Sequence, residues 1–193
     1  MESDWITTST ILRGLRDFED RGAWEGFVSR FRGPIVRLAL AQGLAPADAD
    51  DVAQETLLAF ADGFRAGRYD VQTGRLSRWL FGIAYRQILR ARTLRDRRAP
   101  EVEDASAVVD EAAATRSWDV EWERAILAQC MTQARSEVQP TTFRAFELTA
   151  LENRDAAVVA AELAVDVKAV YNAKHRVLKR IRELREAMEA VSA

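Results

Sequence analysis

Three stretches of the sequence carry side chains that could perform chemistry or bind a partner. The first, DADDVAQETLL at residues 48–58, spaces carboxylates three or four apart. The second, residues 65–98, interleaves arginines with aromatic residues, and the third, residues 168–182, is rich in lysine and arginine. Paired carboxylates can act as acid and base, whereas arginines among aromatics, or a basic helix side, favour binding to nucleic acid.

The chain has few residues of the types that covalent catalysis or a metal site requires. Cys130 is its one cysteine and His175 its one histidine, so a disulfide, a cysteine-based metal cluster and a Ser-His-Asp triad are disfavoured. Nothing beside the carboxylates of residues 48–58 supplies a nucleophile, a metal or a phosphate-binding loop. We therefore expect a protein that is not an enzyme and has no catalytic residues, metal or cofactor.

The charges are segregated along the chain. The 28 Lys and Arg residues nearly balance the 30 Asp and Glu residues, which leaves a net charge of −2. By segment, residues 65–99 carry +8 and residues 168–185 carry +6, whereas residues 1–64 carry −5 and residues 100–124 carry −6. Clustered Lys and Arg neutralise phosphates. The pattern indicates two surfaces for nucleic acid, separated by a segment that nucleic acid would repel.

The elements that must position these side chains are helices. Apolar residues recur three or four apart, few prolines and glycines interrupt them, and no alternating strand pattern stands out. No apolar run approaches the roughly 18 residues of a membrane span, and the start MESDWITTSTIL is too acidic and polar for a signal peptide. We predict an all-α protein of the cytoplasm with no membrane insertion.

The predicted helices form two small domains joined by a flexible acidic linker. In the first domain, residues 1–98, the spacing predicts helices at about 8–18, 23–42, 46–64 and 75–95, with a kink or a break at Gly33-Pro34. Residues 99–117 are the linker. The second domain, residues 118–193, starts with Trp118 and Trp122 and has helices at about 120–136, 140–151, 155–164 and from 167 onward.

The last two helices have the pattern of a helix-turn-helix. A tight turn at residues 164–166 separates them, and Asp166 is placed to cap the final helix. That helix presents donors for base edges and phosphates: Lys168, Tyr171, Asn172, His175, Arg176, Lys179 and Arg182. The alternative is a basic surface helix. The turn usually needs a residue with positive φ, commonly glycine, so Ala164 makes it strained by about 1 kcal/mol or differently built.

The arginine-rich stretch favours a single strand over a duplex groove, because unstacked bases need aromatic faces and phosphates need cations. The residues expected to contact such a strand are Arg65, Arg68, Tyr69, Arg75, Arg78, Trp79, Arg86 and Arg90. The alternative is that Trp79 and Phe81 are core residues and the arginines a solvated helix side. The pattern leaves open which aromatics between residues 69 and 85 are buried.

The acidic stretch fits either a solvated helix side or a protein contact surface. Leu58 lies among the acids, and an apolar anchor surrounded by charges is typical of protein interfaces. The candidate contact residues are Asp48, Asp50, Asp51, Gln54, Glu55 and Leu58. The residues alone favour neither alternative.

Taken in order, these stretches resemble a bacterial RNA polymerase sigma factor of the extracytoplasmic function (ECF) group of the sigma-70 family. Residues 23–98, from AWEGF to RDRR, resemble sigma region 2, and residues 141–186, from TTFRAFEL to RELRE, resemble sigma region 4. The resemblance implies that the acidic stretch binds the clamp helices of the polymerase β′ subunit. It also implies that residues 65–77 with Trp79-Leu80 melt and read the minus-10 element, and that residues 168–182 read the minus-35 element.

The chain departs from the family pattern at three places. An Arg-Asn pair common in the family is Tyr85-Arg86, so contacts normally made by that Asn are not transferred. A Thr-Val pair at the start of the recognition helix is Ala169-Val170, and the turn glycine is Ala164. These differences bear on the promoter sequence rather than on the function class.

The sequence thus predicts a sigma factor that binds core RNA polymerase and directs promoter recognition and transcription initiation. The resemblance implies as partners core RNA polymerase, through its β′ clamp and β flap, promoter DNA and an anti-sigma factor. Because the chain ends soon after the recognition helix, we expect control to act in trans. The rival readings are a stand-alone helix-turn-helix regulator that binds duplex DNA without polymerase, and a helical adaptor that binds no DNA.

Overall fold

The structure of the chain, a computed structural model, describes residues 8–70, 72, 74–98 and 110–189. Regular structure in these ranges is helical, without a strand, so the all-α prediction is confirmed. The helices group into two compact units. We call Thr8–Ala125 the N-terminal unit and the described part of Ile126–Val191 the C-terminal unit.

The first four helices of the N-terminal unit begin and end within a few residues of the predicted positions, whereas the last begins earlier than predicted. These helices are α1 (Thr8–Arg16), α2 (Arg21–Ala41), α3 (Pro46–Arg65), α4 (Leu76–Arg98) and the first part of α5 (Glu111–Glu137). Asp20 caps α2, since its carboxylate accepts a hydrogen bond from the Ala23 amide at 2.9 Å. Pro46 starts α3, where a missing N–H costs nothing.

Helix α2 runs through Gly33-Pro34 without ending, so of the predicted kink or break, the break does not occur. Pro34 removes one donor from the helix interior. Apolar residues on both sides of it, Phe31 before and Ile35 after, are nevertheless buried in the same core. This burial holds the two halves of α2 in one helix.

The core of the N-terminal unit is aromatic and lies between α2, α3 and α4. Phe27 of α2 stacks on Phe60 of α3 with ring centroids 4.3 Å apart, and Phe31 lies 4.7 Å from Phe27. Leu80 and Ile88 of α4 are fully buried. Stacked aromatics of this kind add about 0.5–1.5 kcal/mol each to the burial of their area.

The first part of α5 belongs to the N-terminal unit, which differs from the predicted boundary at Trp118. Residues 99–109 of the predicted linker lie outside the described residues, but α5 already begins at Glu111. Trp118 is fully buried, 6.0 Å from Phe81, and Trp122 stacks on Phe31 at 4.8 Å. The spacing of the two tryptophans predicts a helix but does not show which helices it packs against. The sequence prediction therefore placed both tryptophans in the second domain, whereas the structure places them in the N-terminal unit.

The C-terminal unit contains the remaining helices. They are the rest of α5, α6 (Pro140–Phe146), which continues into a π-helical turn (Glu147–Leu151), α7 (Ala156–Leu163) and α8 (Val167–Glu189). Their positions agree with the predicted ones. Leu148, Val159 and Val170 are buried together in the core of the unit.

Ala164 lies in the turn between α7 and α8 with φ 52° and ψ 46°, in the left-handed region. Of the two alternatives for this turn, the strained one is therefore observed, at a cost of about 1–2 kcal/mol. The turn closes with a hydrogen bond from the Val165 amide to the Ala160 carbonyl at 3.0 Å. The backbone carbonyl of Asp166, at the predicted cap position, accepts from the Ala169 and Val170 amides.

Candidate nucleic-acid and protein interfaces

The six acidic-stretch residues lie on one side of α3 and form what we call the acidic surface: Asp48, Asp50, Asp51, Gln54, Glu55 and Leu58. The side chains of Asp50, Asp51, Gln54 and Glu55 are exposed, and that of Asp48 is half-buried. Leu58 is 54% exposed, whereas its neighbour Leu57 is buried. An exposed leucine ringed by carboxylates is a surface that suits a basic protein partner.

A groove of about 530 Å³ runs between α2 and α3 along the acidic surface. Leu58 and Gln54 line it from α3, and Val28 and Arg32 line it from α2. Arg32 forms an exposed ion pair with Asp50 at 3.0 Å, worth at most about 1 kcal/mol. Sequence reasoning missed the α2 side of this groove, because helical spacing does not tell which exposed residues of two helices lie side by side.

Four arginines of the second stretch form a basic face at α4: Arg75, Arg78, Arg86 and Arg90. All four side chains are exposed. Arg90 also lines a second groove, of about 490 Å³, together with Asp48 and Glu55 of the acidic surface. The structure therefore places predicted DNA-binding and predicted protein-binding residues next to each other.

Arg65 is not part of the basic face. It lines the groove between α2 and α3, and its guanidinium lies over the rings of Phe18, at 5.4 Å, and Trp24, at 5.9 Å. A cation over an aromatic ring is attracted by the ring quadrupole. The structure thus joins Arg65 to the acidic surface rather than to the arginines of α4.

The aromatic residues of the second stretch pack inward. Phe81 is buried, and Tyr85 stacks on it at 5.5 Å. Trp79 is half-buried, with ring centroids 4.9 Å from Phe60 and 5.1 Å from Tyr69. Of the two readings left open by the sequence, the structure therefore favours Phe81 as a core residue, with Trp79 largely engaged by its neighbours.

Tyr69 closes the loop between α3 and α4. Its hydroxyl donates to the Gly74 carbonyl at 3.3 Å, and its ring also lies 6.4 Å from Phe64. Burial, and secondly the carboxylate of Asp70, raise the pKa of Tyr69 above its ordinary value of 10.0. The hydroxyl is therefore protonated at neutral pH and able to donate. Arg68, next to it, is exposed.

Acidic residues at the start of α5 lie near α4. Burial raises the pKa of Tyr85 first, and the carboxylates of Glu111 and Asp110 raise it further. Glu121, on the same helix, is buried and forms ion pairs with Arg37 of α2 and with Arg124. The beginning of α5 is thus fastened to the N-terminal unit by two tryptophans and one buried carboxylate.

The predicted contact residues of α8 all lie on its exposed side: Lys168, Tyr171, Asn172, His175, Arg176, Lys179 and Arg182. Tyr171 is 61% exposed. The opposite side of α8 is buried through Val170, Val177 and Leu184. A rigid helix with a continuous row of donors is the form that can enter a major groove.

Arg180 fixes α8 to α5 and was not singled out from the sequence. Its guanidinium donates to the carboxylate of Glu137, with Nη2 and Oε1 3.0 Å apart. This hydrogen bond is the main cause that lowers the pKa of Glu137 and raises that of Arg180. Arg180 looks like one more cation of a basic helix in the sequence, so only packing distinguishes it.

Candidate metal-binding groups and candidate membrane spans are both absent from the part of the chain that the structure describes. Among those residues, His, Cys, Asp and Glu side chains do not gather in a group of three that could hold a metal ion. No described helix combines the length and the apolar character needed to cross a membrane.

Comparison with known families matches the segment that holds the acidic surface and the basic face to one family model. Residues 27–98, from α2 to the end of α4, match the family model for sigma-70 region 2. The match covers less than half of the chain, and it supports a resemblance of this segment to sigma-70 family sigma factors. A search of curated proteins finds no match to the chain.

Proposed function

We propose that the chain is a sigma factor of the ECF group, which binds core RNA polymerase and directs initiation at promoters. The observation that carries the proposal is that the sigma-70 region 2 match covers most of α2 and all of α3 and α4, and this segment holds the acidic surface and the basic face. One module of known function thus contains both surfaces that were singled out by residue chemistry.

In this proposal the acidic surface binds the β′ clamp of the polymerase. Exposed Leu58 inserts as the apolar anchor, while Asp51 and Glu55 meet basic groups of the partner. Leu58 is 54% exposed, so much of its apolar surface is left for a partner to cover. That exposure supports a role in binding.

The basic face of α4, with Arg68 of the preceding loop, binds the melted minus-10 element. Its exposed arginines neutralise the phosphates of the unpaired strand. Helices α7 and α8 act as a helix-turn-helix in which the exposed side of α8 reads the minus-35 duplex and contacts its phosphates. Binding and melting need no catalytic residue, metal or cofactor, so the proposed protein is not an enzyme. We place it in the cytoplasm, with the β flap and an anti-sigma factor as further partners.

Transcription in vitro tests the proposal. The full chain is added to core polymerase with fragmented genomic DNA of the source organism, and new run-off transcripts are mapped. The expected result is a set of transcripts that need both core polymerase and this chain, with a common upstream sequence. If no such transcript forms, while the chain binds duplex DNA without polymerase, the stand-alone regulator replaces this proposal.

Matched substitutions of exposed leucines then test the acidic surface. Leu58→Asp should weaken binding to core polymerase strongly, whereas Leu40→Asp should not. Leu40 of α2 is the matched control, since it is also exposed, at 41%, but lies outside the grooves that border the acidic surface. Equal binding by the two variants would remove the acidic surface from the proposal.

A further inference from the structure

A buried glycine of α3, Gly63, supports the tryptophan of α4. A methyl group on Gly63 would lie 3.0 Å from Cζ2 and 3.3 Å from Cη2 of Trp79. Both distances are shorter than ordinary carbon contacts, which are about 3.5–4.0 Å. Glycine inside a helix costs about 1 kcal/mol relative to alanine. The close approach of the indole gives this position a physical reason for glycine.

Trp79 also contacts the loop between α3 and α4. Its ring lies between Phe60, on the same helix as Gly63, and Tyr69 of the loop, with centroid distances of 4.9 and 5.1 Å. Tyr69 in turn donates its hydroxyl to the Gly74 carbonyl across the loop. The chain of contacts thus runs from Gly63 through Trp79 and Tyr69 to Gly74.

The same loop carries exposed arginines at both ends. Arg68 precedes Tyr69, and Arg75 follows Gly74. These two arginines are therefore the sequence neighbours of Tyr69 and Gly74, whose hydrogen bond spans the loop. A displacement of the Trp79 ring would therefore move Tyr69 and, with it, the backbone that presents these two cations.

We propose that Gly63, Trp79 and Tyr69 are positioning residues, which set the placement of Arg68 and Arg75 for capture of an unpaired DNA strand. This inference rests on the proposed function and deepens it. Trp79 serves as the support of the loop, with its ring engaged by Phe60 and Tyr69, instead of as a stacking platform for a base. Because Gly63 has no side chain, it leaves room for the Trp79 ring.

The test compares two glycine-to-alanine variants of the full chain. Gly63→Ala places a methyl against Trp79, whereas Gly26→Ala adds one to an exposed position of α2 with nothing within 4 Å. Each variant is bound to core polymerase, and promoter opening is measured by permanganate reactivity of unpaired thymines, on the strongest promoter found by run-off transcription. We expect about tenfold slower opening for Gly63→Ala and wild-type opening for Gly26→Ala, with polymerase affinity unchanged in both.

A compensating substitution separates positioning from general damage. Trp79→Phe lacks the outer atoms that meet the new methyl, so Gly63→Ala with Trp79→Phe should open the promoter as fast as Trp79→Phe alone. Such coupling between contacting residues is measured by a double-mutant cycle. Additive defects would overturn the inference.

Tyr69→Phe tests the other end of the chain of contacts, and it keeps the test valid if Gly63→Ala fails to fold. The variant retains the ring but removes the hydroxyl that donates to Gly74. We expect slower opening of duplex promoter with unchanged polymerase affinity.

The outcomes distinguish this inference from the proposed function. Wild-type opening rates in Tyr69→Phe, or in Gly63→Ala, would overturn the positioning role and leave the sigma-factor proposal standing. Failure of the wild-type chain itself to open any promoter with core polymerase would overturn the proposed function.

Discussion

The basic face of α4 and the exposed side of α8 are both candidates for DNA binding, yet they are built in opposite ways. On α8, polar and aromatic contact residues all point to solvent, and Tyr171 is the most exposed large hydrophobic residue among those described. At α4, the arginines are exposed, but Trp79 and Phe81 pack against other aromatic rings. Both regions contain cations and aromatics, and only the structure distinguishes their arrangement.

This difference fits the proposal that α8 binds duplex DNA and the basic face of α4 binds an unpaired strand. A duplex groove has a fixed shape, so a reader gains from donors that are already held in a row on a rigid helix. Capture of an unpaired strand must offset an unstacking cost of a few kcal/mol, and phosphate contacts contribute to that. In the account proposed above, the aromatic residues at α4 place the arginines and the loop.

The largest expected effect concerns the support of the α4 region by α5. Trp118→Ala should lower the free energy of unfolding of the N-terminal unit by about 3–5 kcal/mol, because it removes a fully buried indole. Hydrogen exchange of the full chain should show the loss in α2 and α4, and not in α7 and α8. Val120→Ala is the control, since Val120 is 51% exposed on the same helix. Equal loss of protection in both units would contradict the assignment of Trp118 to the N-terminal unit.

Substitutions on α8 should separate base contacts from phosphate contacts. Asn172→Ala should weaken binding to the minus-35 duplex by about 1–3 kcal/mol and relax specificity at one base pair. Lys179→Ala should weaken binding to all duplexes alike and reduce the salt dependence by about one charge. Binding titrations at several salt concentrations measure both. If the two variants behave alike, α8 is a basic surface helix and the contrast with α4 is lost.

The strained turn before α8 offers a gain in stability. Ala164→Gly should raise the free energy of unfolding of the C-terminal unit by about 1 kcal/mol, because glycine adopts the left-handed conformation without strain. The matched control, Ala161→Gly in the interior of α7, should lower it by about 0.5–1 kcal/mol. Thermal unfolding gives both values. A loss of stability in Ala164→Gly would mean that the methyl of Ala164 makes contacts worth more than the strain.

The smallest expected effect is the pH dependence of the Glu137–Arg180 pair. The hydrogen bond from Arg180 lowers the pKa of Glu137 below its ordinary value of 4.5, so the pair stabilises the fold above pH 4.5. That stability is lost as the pH falls through the lowered pKa.

Glu137→Gln should therefore be less stable than wild type at neutral pH, by about 0.5–1 kcal/mol, and the difference should vanish in acid. Urea unfolding at several pH values measures it. Glu186→Gln, which removes an exposed carboxylate of α8, is the control for charge alone. A difference that stays constant with pH would show that Glu137 acts by packing and not by its charge.

Sequence periodicity predicted the helices well, because burial of one helix side leaves a repeat that local reading detects. The α3 residues of the acidic surface and the exposed residues of α8 followed from the same repeat. The sequence did not predict which helices pack together. It placed Trp118 and Trp122 in the second domain, and it grouped Arg65 with the other arginines of residues 65–98, whereas the structure places Arg65 at the groove between α2 and α3. Gly63 carried no signal, since its role depends on a tryptophan 16 positions later in the chain.

The proposal that the two units read different states of DNA is tested most directly by binding of the polymerase complex to two separate DNA probes. One probe is a single strand covering the minus-10 element, and the other is a duplex covering only the minus-35 element. The variants are Arg86→Ala with Arg90→Ala in α4, and Asn172→Ala in α8. We predict that the α4 variant loses affinity for the single strand and retains the duplex, and that the α8 variant does the reverse. Equal losses on both probes, or the opposite assignment, would contradict the account.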